Sequence, residues 1–233
     1  MRVIFSWDDG APQDKKMYEL HEKYKIPGMF FVPTKNREGR DVISSNEMKN
    51  AESSYVSFGG HTENHVYLTE LSIDDVEKEI VNNKKYLEDL LGHEILHFCF
   101  PGGQYTDEIM NIASKYYKTL RTADTMNFAA KHGILLKPAF HFYPRGYKSL
   151  IGNGIRQKSV KQTFNIALLA RCDYFDTIKK MIKNQSNSDS DIMIWGHSWE
   201  IEELNLWNKL EDLFVFLKEN FYDSCCKYDD LLN

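Results

Sequence analysis

No apolar run in this chain of 233 residues approaches the roughly 20 that a membrane-spanning helix needs. No CxxC pair occurs among its four cysteines, Cys99, Cys172, Cys225 and Cys226. A disulfide framework is not expected in a chain this rich in core formers, so the thiols are read as reduced, with Cys99 and Cys172 partly buried. Basic residues form no long stripe. The formal net charge is -5 with both signs interspersed, which argues against nucleic acid as a partner. No charged leader followed by an apolar segment stands at the N-terminus, where Met1-Arg2 runs straight into a strand. The chain therefore reads as cytoplasmic, as a trimmed form of a secreted protein also would. Repeats, low-complexity tracts and proline-rich linkers are missing too, and residues 184–190 read as an exposed polar loop. Nothing specifies an oligomeric state.

What is present suffices for one large domain spanning 1–233. Hydrophobic residues make up 42% of the chain, enough for a sizeable core, and 27% are charged. Strand-like and helix-like runs alternate. Strands are expected at 3–7, 28–33, 55–58 (stopped by Gly59-Gly60), 95–100, 118–122 and 192–195, with one or two more in 134–143. Helices are expected at 14–24, from the Ser72 cap to Leu91 with Asp75 placed for reciprocal capping, at 106–117, across 159–184, and at 203–221. Alternation of this kind argues for an α/β domain with a largely parallel sheet.

Four polar motifs each follow an expected strand. They are Asp8-Asp9-Gly10, His61-Thr62-Glu63-Asn64-His65 after Gly59-Gly60, Pro101-Gly102-Gly103, and Gly196-His197. Chemistry gathered at the C-terminal ends of strands belongs to a β/α barrel or an open doubly wound sheet. A barrel is preferred, because motifs spread over nearly the whole chain must converge on one mouth. One carboxylate and two imidazoles can hold a divalent metal, leaving the second carboxylate as a base. Two histidines four apart share a face on a helical turn. Two adjacent carboxylates would raise one pKa unless a cation sits beside them. A Pro-Gly-Gly corner offers a backbone N–H to an oxyanion, and a histidine beyond a strand can protonate a leaving amine. Trp195 and Trp199 could wall a sugar pocket, as could Trp7. Taken singly, each motif is also an ordinary turn, a surface pair or a structural histidine.

In conjunction and in this order, the motifs resemble those of the polysaccharide deacetylases with NodB homology (carbohydrate esterase family 4). Ser6-Trp7-Asp8-Asp9-Gly10 matches the first family motif and His61-Thr62-Glu63-Asn64-His65 the second. Cys99-Phe100-Pro101-Gly102-Gly103 matches the third in part, and His197 answers to the histidine of the fifth. The resemblance implies a distorted (β/α) barrel of seven strands. It implies a divalent ion, zinc foremost with cobalt, nickel or manganese as alternatives, on Asp9, His61 and His65. Asp8 would then be the base that activates water, and Pro101, Gly102 and Gly103 would form the oxyanion and substrate corner, with the Gly102 N–H as donor. His197 would be the acid. The substrate would be an N-acetylated amino sugar in a carbohydrate or glycolipid. The sequence departs from the pattern where Cys99 stands in place of the third-motif arginine. Arg121 is the candidate to supply that guanidinium and orient the base, and Asp124 the candidate to tune the acid histidine; both are equally readable as a surface ion pair. Two other readings stand beside deacetylation. One is a deformylase of a lipid-linked sugar or a cyclic-amide hydrolase. The other is a carbohydrate-binding protein without turnover. Residues 141–183 carry no interpretable motif; they would shape a substrate groove or a subunit contact.

Overall fold

A computed structural model describes residues 1–128, 133–158, 160–168 and 172–232. In chain order the regular elements are β1 (Arg2–Asp8), α1 (Asp14–Tyr24), β2 (Gly28–Val32), α2 (Ser45–Ala51), β3 (Val56–Gly60), α3 (Ile73–Leu91), β4 (His97–Cys99), α4 (Asp107–Ala113) and β5 (Thr119–Arg121). Then follow β6 (Leu135–Leu136), β7 (Phe140–His141), α5 (Tyr147–Arg156), α6 (Val160–Leu168), α7 (Tyr174–Gln185), β8 (Asp191–His197), α8 (Ser198–Glu203) and α9 (Trp207–Asn220). Short 3-10 turns cover Pro101–Gly103 and Tyr228–Leu232.

The strands form one sheet in the order β6-β5-β4-β3-β2-β1-β8-β7, and every pairing is parallel. That order forces the sheet to curl. β6 and β7 sit at opposite ends, yet Leu136 and Phe140 are four residues apart, a reach of about 14 Å at most. A flat sheet of this width would hold them about 34 Å apart at 4.8 Å per strand gap. The fold is thus the curled α/β barrel expected. The two-residue strands β6 and β7 are the pieces of segment 134–143.

Alternation along β1 sorts the core into two layers. Val3, Phe5 and Trp7 face outward into the sheet–helix layer, where Phe214 of α9 meets Phe5 with ring centroids 5.1 Å apart. Ile4 faces inward with Met29, Phe31, Cys99, Leu136, Met193 and Tyr228, which fill the barrel. Tyr228 reaches in from the C-terminal turn and lies 5.5 Å from the Phe31 ring. With one end stoppered, the opening lies at the C-terminal strand ends.

The α3 boundaries follow from its caps. The Ser72 hydroxyl accepts from the Asp75 N–H at 3.3 Å, and Gly92 closes the helix at φ 81°. The Asp75 carboxylate bonds the Ser72 hydroxyl rather than its backbone. Gly59-Gly60 does not stop β3; it completes it. A Cβ on Gly60 would lie 2.2 Å from the Tyr117 hydroxyl and 3.0 Å from Asn83 Oδ1, so this glycine serves close sheet–helix packing rather than approach to a ligand. All four cysteines are free; Cys99 is buried and Cys172 half-buried. Among the described residues no helix is long and apolar enough to cross a membrane.

Candidate active site

One pocket at the C-terminal strand ends is lined by Asp8, Asp9, Glu38, His61, His65, Tyr67, Gly102, Gly103, Ala123, Arg145, Trp195, His197 and Trp199. The sheet register gathers them. Asp8 ends β1 directly beside His197 at the end of β8, and Cys99 on β4 lies beside Arg121 on β5. Past the β1 terminus, Asp9 and Gly10 turn at φ 77° and 60°, which lets both carboxylates reach the mouth.

His61 and His65 are not on a helical turn. They stand on an irregular loop with Thr62 at φ 70° and His65 at φ 52°. Left-handed backbone at two non-glycine residues is costly and persists only where neighbours hold it. α3 does so. Asn83, fully buried, accepts from the His61 N–H at 2.7 Å and donates to the Val32 carbonyl at 3.1 Å. Glu79 accepts from the Asn64 N–H at 2.8 Å and the Asn64 amide at 2.7 Å.

Asp9 Oδ1 lies 3.5 Å from His61 Nε2 and 2.9 Å from His65 Nε2. His61 Nδ1 donates to the Cys99 carbonyl at 2.8 Å, so its Nε2 keeps a lone pair toward Asp9. Separations of about 3 to 3.5 Å are those of ligand atoms sharing one ion at bonds of about 2.1 Å. The donor set, two imidazoles and a carboxylate, suits zinc and its first-row neighbours. The residues present therefore fit a divalent ion. Trp199 fixes the other Asp9 oxygen with an indole N–H at 2.9 Å, and the Arg40 guanidinium lies 3.6 Å from the Trp199 ring centre. Burial alone would raise the Asp9 pKa, but the imidazoles of His61, His65 and His197 around it outweigh burial and hold it well below the carboxylate range.

Asp8 is clamped differently. The fully buried Arg121 guanidinium bonds both its oxygens, donates to the Thr122 carbonyl at 3.0 Å, and lies 4.9 Å from the Trp195 ring centre. The Cys99 thiol also reaches Asp8, at 3.6 Å.

A second carboxylate–histidine cluster faces the first. Glu200 Oε2 lies 2.7 Å from His197 Nδ1 and 2.8 Å from His141 Nε2. Arg145 donates to His141 Nδ1 at 2.9 Å, so His141 Nε2 must carry the proton that Glu200 accepts. That cluster offers no lone pair from His141, and a guanidinium adjoins it. It holds protons rather than a cation. Burial opposes charge on His197, but the Glu200 bond and the Asp9 charge outweigh it and raise its pKa to about 9. Against burial, bonds from His141 and His197 bring Glu200 down to about 2. His197 Nε2 points into the pocket, 3.8 Å from Asp9 Oδ2.

The family model described as polysaccharide deacetylase matches residues 1–120. The chain belongs to this polysaccharide deacetylase family. It is similar to the Bacillus subtilis protein YxkH, described as a polysaccharide deacetylase, at 23% identity over 48% of this chain and 41% of that one. The Streptococcus pyogenes deacetylase PplD, solved with acetate, aligns at 26% identity and TM-score 0.53 over 58% of this chain and 62% of its own. A family 4 carbohydrate esterase from Streptomyces lividans, also solved with acetate, shares the fold at TM-score 0.60 and 13% identity over 97% of this chain and 91% of its own. The chain thus spans less than two thirds of the length of YxkH and of PplD.

Against the polysaccharide deacetylase pattern, two of the sequence expectations need correction. Trp7 does not wall the pocket. Asp8 points inward, so its neighbour must point outward, and Trp7 is fully buried with its N–H on His21 Nε2 at 2.7 Å. Trp195 and Trp199 line the pocket instead. Asp124 does not touch His197. It faces Lys137 at 3.5 Å, and the carboxylate beside the histidine is Glu200, one helical turn on. Arg121 lies on Asp8. Gly102 and Gly103 line the pocket, while Pro101 is buried beneath them. His141 and Glu200 escaped the sequence reading. The His-x-x-Glu spacing at 197–200, at the start of a helix, was the one available signal.

Proposed function

We propose that this chain is a metal-dependent hydrolase that removes the N-acetyl group from an amino-sugar unit of a carbohydrate or glycolipid. One observation carries the reading: an arginine-clamped carboxylate, Asp8, stands beside a separate three-donor cluster of Asp9, His61 and His65 at one pocket mouth. A zinc ion, or cobalt, nickel or manganese, on that cluster would supply Lewis acidity, polarising the acyl oxygen and easing deprotonation of water near neutrality.

The chain's own groups do the rest. Arg121 holds the Asp8 carboxylate in one orientation, and Asp8 takes a proton from the attacking water as the new C–O bond forms. The Gly102 N–H at the Pro-Gly-Gly corner donates to the oxyanion. His197, cationic to about pH 9, gives its proton to the nitrogen as the C–N bond breaks. Glu200 keeps that proton in place, and His141 keeps Glu200 in place. Trp199 and Tyr67 offer apolar faces to a sugar ring. Acetate and a free amine leave.

Acetate release from oligomers of N-acetylglucosamine by zinc-loaded protein tests this. Release should stop with a chelator and with Asp8→Asn. Activity that survives both rejects the proposal. Formate from an N-formyl sugar, but no acetate, assigns the chain to deformylation. Saccharide binding with no hydrolysis by metal-replete protein assigns it to carbohydrate binding.

A further inference from the structure

Charge is less evenly spread than the whole-chain balance suggests. Residues 125–172 hold eight of the 29 Lys and Arg and none of the 34 Asp and Glu. Within this segment α5 and α6 pack on each other as a hairpin. Its outer face carries Ile155, Val160 and Phe164, exposed by 68%, 77% and 63%, the three most exposed large apolar side chains among the described residues. They line one open groove together with Lys158, Thr163 and Ala167. Lys158 lines that groove, and Lys148, Arg156 and Lys161 are exposed on the same two helices. Elsewhere on the surface, cations face carboxylates, as in Lys23–Glu211, Lys78–Asp75 and Lys179–Asp212. On this hairpin no carboxylate is available in sequence to do so.

The hairpin also adjoins the pocket. Arg145 lines the mouth two residues before α5 begins, and Asn153 of α5 donates to Thr125 at 2.9 Å, four residues beyond β5. An exposed apolar groove on a hairpin that carries four exposed cations and no carboxylate fits a partner that offers an apolar medium and fixed negative charge in adjacent layers. We propose that the α5–α6 hairpin seats on an anionic lipid surface. Ile155, Val160 and Phe164 enter the boundary between headgroups and acyl chains, the four cations meet lipid phosphates, and the pocket mouth is held near the membrane plane. Nucleic acid fits less well, since Ile155 and Val160 have no ring to stack on a base. A second copy of the same face would bring like charges together. The docking does not depend on the reaction proposed above.

Flotation of the full chain with vesicles tests the proposal. The protein should bind vesicles of phosphatidylcholine mixed with phosphatidylglycerol, bind phosphatidylcholine alone weakly, and release at high salt as the charges are screened. Lys158→Gln with Lys161→Gln should weaken binding by about fivefold per lysine, the equivalent of about 1 kcal/mol for each. Val160→Ser with Phe164→Ser should reduce it by about tenfold or more, with thermal unfolding unchanged because both side chains are exposed. The proposal fails if wild type does not float with the anionic vesicles at low salt, or if both double variants float as well as wild type. It fails too if the protein prefers single-stranded RNA to these vesicles. A dimer that Val160→Ser with Phe164→Ser dissociates, in protein that ignores vesicles, would identify the face as a contact between copies instead.

Discussion

Two carboxylates, Asp9 lining the pocket and Glu200 behind its His197 wall, each stand between two histidines, and their hydrogen bonds differ. Asp9 lies between His61 and His65; Glu200 lies between His141 and His197. Residue types alone do not separate them, for each trio has the make-up of a metal site. The second contact of one imidazole in each trio does. His61 spends its N–H on the Cys99 carbonyl and turns a lone pair to Asp9. His141 accepts from Arg145 and turns an N–H to Glu200. One wall is built to share lone pairs, the other to hold protons. What decides the role of a His–carboxylate cluster is the proton inventory one bond further out.

The sharpest way to break this comparison is to remove the group between the walls. Asp8→Asn keeps the shape and removes the base, so activity should fall by about 10³-fold or more while bound metal stays at the wild-type level. Elemental analysis alongside acetate release reads both. Loss of metal as well would mean that Asp8 belongs to the ion cluster. Next in size is the contrast between the walls themselves. His61→Ala and His65→Ala should each weaken metal binding by at least about tenfold, whereas His141→Ala and Glu200→Gln should leave the metal content unchanged. Equal losses on both sides would erase the distinction.

Glu200→Gln gives a smaller effect with a signature. The Glu200 charge helps hold the His197 pKa near 9, so its removal lets His197 lose its proton at lower pH. The alkaline limb of kcat against pH should move down. At pH 8 the rate should drop by about tenfold, and at pH 6 it should change little. A uniform drop at every pH would make Glu200 a structural prop only.

How much of this was legible in the sequence differs between the same two walls. The β1–β3 side was readable because its residues are contiguous in sequence: Asp8-Asp9 and the two histidines four apart. α1 and α3 were also readable, since an apolar stripe, and for α3 a capping serine, fix helices locally. The β7–β8 side depends on pairings across 56 residues, between His141 and His197, which no local pattern announces. Arg121 reaches Asp8 only because β4 and β5 pair Cys99 with Arg121, a register that the spacing alone does not give. Trp7 was legible and misread, because strand alternation already sends it away from Asp8. The basic bias of 125–172 was legible too, but an averaged charge hides a one-sided segment.

The weakest effect sharpens the comparison from beneath. Asp14 is another buried carboxyl under the His197 wall, bonded by the Ser198 hydroxyl, with no guanidinium or imidazole hydrogen-bonded to it among the described residues. Burial pushes it up to about 8. It is therefore neutral in the folded protein at pH values where the unfolded chain has it ionised. Between about pH 4 and 8 the folded state binds the extra proton, so this group's contribution to stability falls as pH rises. His21, buried against Trp7, runs the other way. Burial lowers it to about 4, so its contribution falls as pH drops below about 6.5. The two slopes oppose each other between about 4 and 6.5; above that the Asp14 slope is joined by that of His197, whose pKa, raised to about 9, also makes stability fall as pH rises. Asp14→Asn should lessen the decline between about pH 6.5 and 8, leaving the His197 share, and expose the His21 slope on the acid side. The difference in unfolding free energy between wild type and variant should change by up to about 1.4 kcal/mol per pH unit. A difference that does not vary with pH would mean that Asp14 is ionised like Asp9 and Glu200, and that burial without a cationic partner is not what separates these carboxyls.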